Sequence, residues 1–259
     1  VPEDWGDEIM SNVFVRSAGP PRGILAEAAH YLADGGCPVG RHTWTAAYWS
    51  AQCALSAADA LLGGDRVSYA LCRPPGHHAR RDAAGGFCYL NNAAIAAEAL
   101  RARFGRIAIL DPDMHHGQGV QEIFYDRGDV LYVSIHGDTT NFYPVVTGHP
   151  EERGQGPGEG CNLNLPMPHG ADEAVFFARL DEAVAAIAAF RPDALIVTLG
   201  FDVHEKDPQA KVRVTSAGFH RLGRTLAGLG LPLLITQEGG YYLEGLAENA
   251  RQFFSAVAA

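Results

Sequence analysis

The feature that most constrains the fold is a set of five short apolar runs separated by longer, helix-like segments. The runs are Val67–Cys72, Arg106–Asp111, Val130–His136, Ala194–Gly200 and Leu231–Glu238. Their central residues are apolar on both faces of an extended chain. That pattern is typical of strands in a parallel sheet, because helices cover both sides of such a sheet.

Apolar spacing, capping residues and terminal glycines predict five helices around these strands. They are Thr43–Leu62, Asn91–Phe104, Asp172–Phe190, Ser216–Leu229 and Gly245–Val257. Strand alternating with helix predicts an α/β fold with a central, mostly parallel sheet. The glycine-rich stretch 136–160 is expected to be a long functional loop, and residues 1–25 are expected to be irregular.

Composition narrows the class of protein. With 259 residues, the chain is long enough for one large domain or two small ones, and a content of 47% apolar and 19% charged residues argues against a disordered chain. A net charge of −10 argues against nucleic-acid binding, and no run is long enough for a membrane span. Five cysteines without a C-x-x-C pair argue against a disulfide framework or a cysteine zinc site. A reducing compartment, and so a cytoplasmic location, is expected.

Polar and titratable residues follow each predicted strand, in segments 73–78, 111–117, 134–138, 200–202 and 238–241. In an open parallel sheet, ligands bind beyond the carboxyl ends of the strands. We therefore predict an active site at this edge of the sheet.

The spacing of Asp111, Asp113 and His115 predicts a metal site, because residues two apart in an extended chain face the same way. Asp202 ends another predicted strand. One imidazole and two carboxylates, from Asp113, His115 and Asp202, suit Zn²⁺, or Fe²⁺ or Co²⁺, with a fourth position left for water. The alternative for any single aspartate is that it caps a loop or a helix.

Other residues at this edge suggest acid–base chemistry. His77 and His78 follow a rigid Pro-Pro-Gly turn, and a histidine beside a metal is a natural general acid and base near neutral pH. Tyr241 follows two glycines and could donate to a developing oxyanion. Phe87 and Tyr143 could wall a narrow tunnel for a linear substrate. Exposed loop histidines, an interfacial tyrosine and core packing are the alternatives.

Five motifs occur in order: Arg-Pro-Pro-Gly-His-His-Ala at 73–79, Gly-Phe-Cys-Tyr-Leu-Asn-Asn at 86–92, Asp-x-Asp-x-His-His-Gly at 111–117, Gly-Phe-Asp at 200–202 with Asp207-Pro208, and Glu-Gly-Gly-Tyr at 238–241. Together they resemble the histone deacetylase family, and within it the bacterial acetylpolyamine amidohydrolases. The resemblance implies an arginase/deacetylase-like three-layer sandwich, with residues 1–259 forming a single catalytic domain.

The resemblance also implies the role of each matched residue. The zinc ligands would be Asp113, His115 and Asp202. The catalytic residues would be His78 as general acid and base, His77 as its companion, and Tyr241 at the transition state. The substrate tunnel would be walled by Phe87 and Tyr143, with the Gly86 carbonyl holding the amide N–H. An inner K⁺ site would include Asp111, which also partners His77, together with Ser134 and Ile135.

The implied activity is zinc-dependent removal of acetyl groups from small acetylated amines, preferably acetylpolyamines, with release of acetate. A deacetylase of acetyl-lysine side chains, a non-catalytic binding protein for acylated amines and a two-manganese hydrolase like the arginases are the alternatives. Homodimers that narrow the site mouth occur among such relatives, and segment 31–41 is a candidate for that role.

Two departures from the family pattern stand out. Gln118 follows His-His-Gly where relatives usually have Asp or Asn, a residue that tunes one of the histidines. The chain is also expected to start after the family's N-terminal portion, so that it would be truncated there. Acidic residues that bind the distal ammonium groups of a polyamine would then be missing, or would be supplied by Glu3, Asp4, Asp7 and Glu8.

Overall fold

The computed structural model describes residues 8–10, 12–14 and 20–259, so Glu3, Asp4 and Asp7 lie outside the described residues. In chain order the elements are β1 (Glu8–Ile9), α1 (Ile24–Tyr31), β2 (Val39–Gly40), α2 (Thr43–Leu62), β3 (Val67–Ala70), α3 (Asn92–Leu100), β4 (Ile107–Asp111), α4 (Gln118–Phe124), β5 (Val130–Gly137), β6 (Asn162–Met167), α5 (Glu173–Phe190), β7 (Ala194–Leu199), α6 (Ser216–Ala227), β8 (Leu233–Gln237) and α7 (Leu243–Val257).

The centre of the molecule is a six-stranded sheet in the order β3-β8-β7-β4-β5-β6. Every neighbouring pair in it is parallel, which confirms the predicted α/β architecture. The carboxyl ends of all six strands therefore meet at one edge. At that edge Asp111 of β4 lies in register with Ser134 of β5.

The core lies on both sides of this sheet, because successive strand residues point to opposite faces. On one face Leu110 and Val133 pack in a cluster that contains Phe176 of α5. On the other face Ile109 and Tyr132 belong to a cluster with the alanines of α2 and α3. The molecule is thus the expected three-layer sandwich. Among the described residues, no helix has the length and apolar character needed to cross a membrane.

Several elements differ from the sequence-based expectation. Strand β6 was not predicted, because the buried polar residues Asn162 and Asn164 interrupt its apolar pattern. Both side-chain amides donate to Gln121 Oε1 of the short helix α4, which was also missed. Helix α3 ends at Leu100 rather than Phe104. Helix α1 begins at Ile24, inside the stretch expected to be irregular.

Candidate active site

The ends of β4 and β7 bring the predicted metal ligands together. One donor atom from each of Asp113, His115 and Asp202 lies within 4.8 Å of the others, and all three residues are buried. His115 Nδ1 lies 3.0 Å from Asp202 Oδ2 and 3.4 Å from Asp113 Oδ1. The three residue types predicted from spacing therefore converge on one point.

Backbone groups hold the two carboxylates in place. Asp202 Oδ1 accepts a hydrogen bond from Met114 N at 2.9 Å, and Asp113 Oδ2 accepts one from Gly239 N at 3.0 Å. At Gly200 a Cβ atom would lie 2.1 Å from Asp113 Oδ2. Only glycine at that strand end leaves room for the carboxylate, which explains the Gly-Phe-Asp sequence.

The electrostatics of this cluster favour a divalent cation. Burial and the neighbouring Asp113 carboxylate raise the pKa of Asp202 above its ordinary value. The carboxylates of Asp113 and Asp202, whose oxygens lie within 4.8 Å of each other, repel one another unless a proton or a cation lies between them. One imidazole and two carboxylates are also a donor set that zinc accepts in catalytic sites. The residues present therefore fit a zinc ion.

His77 and His78 lie beside the cluster, with ring centres 3.9 Å apart, but they have different partners. His77 Nδ1 lies 3.1 Å from Asp111 Oδ2. Burial disfavours its charge, but the carboxylates of Asp111 and Asp113 outweigh burial and raise the pKa of His77 to about 10. Tyr132, which sequence reasoning missed, also donates to Asp111 Oδ2 at 2.8 Å.

His78 has a neutral partner, and its pKa is shifted in the opposite direction from that of His77. Its Nδ1 lies 2.6 Å from Oε1 of Gln118, so the residue that departs from the family pattern is the partner of His78 and not of His77. Burial, together with the nearby His77 and His115, lowers the pKa of His78 well below its ordinary value. His78 is therefore the neutral member of the pair, and a neutral imidazole can accept a proton.

Tyr241 is positioned by a residue whose role the sequence did not reveal. Asp207 Oδ2 accepts hydrogen bonds from the backbone N–H groups of Tyr241 at 2.6 Å and Tyr242 at 2.9 Å. Burial and the carboxylates of Asp113 and Asp202 raise the pKa of Tyr241, which keeps its phenol protonated. The Asp207-Pro208 pair was visible in the sequence, but nothing local showed what it holds.

A cavity of about 260 Å³ leads to this cluster, lined by Asp34, Gly36, His78, Gly86, Phe87, His115, Tyr143, Gln209 and Tyr241. Phe87 is 49% exposed at its mouth. Gly86 adopts a φ of +53°, and a Cβ atom there would lie 2.3 Å from His78 Cδ2. Phe87, Tyr143 and Gly86 thus line the same cavity.

The remaining residues singled out in the sequence lie at different distances from the cavity. Ser134 and Ile135 are buried, and Ser134 Oγ pairs with His136 Nδ1 at 2.8 Å. Glu8 is exposed in β1, where it pairs with Gly40 and does not line the cavity. Segment 31–41 does border the site, because it contributes Asp34. No recognisable motif surrounds Asp34, so sequence reasoning missed it.

Comparisons with known proteins agree with this geometry. The histone deacetylase domain model matches residues 11–257. An acetylpolyamine amidohydrolase from Burkholderia pseudomallei is 65% identical over 259 residues, which are 100% of this chain and 76% of that protein. Acetylpolyamine amidohydrolase 1 from Pseudomonas aeruginosa is 46% identical over 254 residues, which are 96% of this chain and 73% of that protein.

The solved structures point the same way. The crystal structure of the acetylpolyamine aminohydrolase from Burkholderia pseudomallei has a TM-score of 0.97 at 65% identity, covering 100% of this chain and 76% of that one. The sheet order, the strand-end cluster and these matches together show that the chain belongs to the histone deacetylase family.

Proposed function

We propose that the chain is a zinc-dependent amidohydrolase that removes acetyl groups from acetylated amines, preferably acetylpolyamines, and releases acetate. The family supplies the reaction class, that of a deacetylase acting on amides. The observation that carries the proposal is the buried cluster of Asp113, His115 and Asp202 at the base of a narrow cavity, beside a neutral histidine and a phenol. Residues 1–259 would act as one catalytic domain in the cytoplasm.

Asp113, His115 and Asp202 would hold the metal. Bound there, zinc would supply Lewis acidity toward the acetyl carbonyl and lower the pKa of water at its open position. Fe²⁺ or Co²⁺ would suit the same donors. Asp111, Ser134 and Ile135 would contribute to a K⁺ site, which would offset part of the carboxylate charge beside the metal.

The remaining residues would move protons and stabilise charge. Neutral His78 would take a proton from the attacking water at Nε2, because Nδ1 faces Gln118, and would later deliver it to the leaving amine. The Tyr241 phenol would donate to the carbonyl oxygen as negative charge develops there. His77, held by Asp111, would add a positive charge beside His78 and the developing negative charge.

The substrate preference rests on the residues that line the cavity, on the net charge of the chain and on the relatives' names. Phe87 and Tyr143 line the cavity and would form its walls around a linear chain, and the Gly86 carbonyl would accept the amide N–H of that chain. A net charge of −10 favours a cationic substrate, though its main effect is on encounter rate. We also propose a homodimer in which segment 31–41 helps to shape the mouth of the site.

A competition assay tests this proposal. The protein, with one equivalent of zinc and with K⁺, is incubated with acetylputrescine and an acetyl-lysine peptide together, and the deacetylated products are quantified. We expect acetylputrescine to be consumed first. Preferential hydrolysis of the peptide would favour a deacetylase acting on proteins, and tight binding without turnover would favour a binding protein.

A further inference from the structure

A continuous chain of hydrogen bonds connects the acid–base histidine to the mouth of the cavity. It runs from His78 Nδ1 to Gln118 Oε1 at 2.6 Å, from Gln118 Nε2 to Tyr143 Oη at 3.2 Å, and from Tyr143 Oη to Asp34 Oδ2 at 2.6 Å. We refer to these four residues as the relay. It links His78, in the segment that follows β3, to segment 31–41, which runs from the end of α1 through β2 and carries no sequence motif.

The far end of the relay is an acceptor. Asp34 accepts hydrogen bonds from Gly36 N at 2.7 Å on Oδ1 and from Gly86 N at 3.0 Å on Oδ2. A carboxylate with N–H donors on both oxygens has no hydrogen of its own to give. The Tyr143 hydroxyl must therefore donate toward Asp34, and its oxygen lone pairs are left to accept.

The direction of the Tyr143 hydrogen bond determines how the Gln118 amide is oriented. Facing an oxygen that accepts, Gln118 turns its amide NH₂ toward Tyr143, and this places its carbonyl oxygen against His78. A side-chain amide rotated by 180° would instead present NH₂ to the imidazole, so the amide by itself does not select one state of the histidine. An aspartate in its place would accept with either oxygen and would need no such support.

From these directions we infer that Asp34 and Tyr143 are positioning residues that fix the tautomer of His78. With Gln118 Oε1 held against it, Nδ1 carries the hydrogen and Nε2 keeps its lone pair for the cavity. Tyr143 therefore acts through its hydroxyl as well as through its ring. The consequence for catalysis rests on the proposed function, but the tautomer itself does not.

Tyr143→Phe is the decisive variant, because it keeps the ring wall and removes only the hydroxyl. Tyr89→Phe is the matched control. The Tyr89 hydroxyl also ties segment 31–41 down, by donating to Pro38 O at 2.5 Å, but it lies outside the relay. Gln118→Glu tests rescue, because a carboxylate accepts from Nδ1 whichever oxygen faces it.

Two measurements are made on each variant: ¹⁵N NMR of the histidine side chains, and kcat and KM for acetylputrescine. We expect Tyr143→Phe to reduce the Nδ1–H population of His78 and to lower kcat about 10-fold, with KM nearly unchanged. Tyr89→Phe should change neither quantity. In a Gln118→Glu background, Tyr143→Phe should cost nothing further.

Three results would overturn the inference: an unchanged His78 spectrum in Tyr143→Phe, an equal loss in Tyr89→Phe, or an undiminished effect of Tyr143→Phe beside Glu at position 118. Wild-type protein that binds zinc but releases no acetate would count against the proposed function alone. The tautomer populations of His78 can be measured without turnover, so they would still test whether Asp34 and Tyr143 fix that tautomer. Thermal midpoints identify any variant that fails to fold.

Discussion

The base and the mouth of the cavity are built differently. At the base, Asp113, His115 and Asp202 follow strand ends and are buried, and backbone N–H groups orient the two carboxylates. At the mouth, Asp34 and Phe87 come from loops and are only partly buried or exposed. Under the proposed function, the sheet would determine the reaction, whereas the loops would adjust which substrate enters and how readily His78 accepts a proton.

Asp202→Asn should have the largest effect at the base. The substitution keeps the shape of the side chain but removes the charge of one proposed ligand. Zinc affinity should therefore fall sharply, and activity should fall about 1,000-fold or more. The metal-free variant should be at least as thermostable as the metal-free parent, because the substitution relieves repulsion between buried carboxylates. Metal analysis and calorimetry check both effects; zinc still bound at full stoichiometry would contradict the assignment.

Tyr241→Phe should lower kcat about 100- to 1,000-fold, the usual cost of losing one donor to a developing oxyanion. Zinc content should stay intact, because Tyr241 is not among the proposed ligands. Steady-state kinetics paired with metal analysis separate the two effects. An unchanged kcat would remove Tyr241 from the mechanism.

Asp207→Ala should act on the same step through the backbone. It removes the acceptor shared by the N–H groups of Tyr241 and Tyr242, so kcat should fall about 10-fold as the phenol loses its position. If Asp207 acts only through Tyr241, the substitution should add little to Tyr241→Phe in a double-mutant cycle. Fully additive losses would show an independent role.

Phe87→Ala should have the smallest effect and should act at the mouth. Losing part of a half-exposed ring corresponds to about 1 kcal/mol of substrate contact, so KM should rise about 5-fold while kcat changes little. Val146→Ala, at an exposed apolar residue outside the cavity lining, is the control. A fall in kcat without a change in KM would mean that Phe87 does not act on substrate binding at the mouth.

The same division explains how much the sequence could predict. The other five strands of the sheet and the clustering of Asp113, His115 and Asp202 were predictable because a buried parallel strand leaves a continuous apolar run, and because the residues after it point into one site. Helix α2 was predicted with its observed bounds, Thr43–Leu62, since a threonine and paired glycines mark its two ends.

The parts that escaped prediction depend on contacts between distant segments. Strand β6 is built around two buried asparagines whose partner, Gln121, lies 41 and 43 residues away. Asp34 meets Tyr143 across 109 residues, and nothing near Asp34 in the chain signals that contact. Which histidine Gln118 contacts was likewise settled only by tertiary packing, because Gly119 N and Val120 N of α4 donate to His77 O and so place α4 against the segment that carries both histidines.

Zinc titration of metal-stripped protein tests the central claim most directly. Acetate release from acetylputrescine is measured as zinc is added, and bound zinc per chain is determined at each point. We predict that activity starts near zero, rises in proportion to bound zinc and saturates at one ion per chain. Full activity in the stripped protein, or a requirement for two ions per chain, would contradict the account.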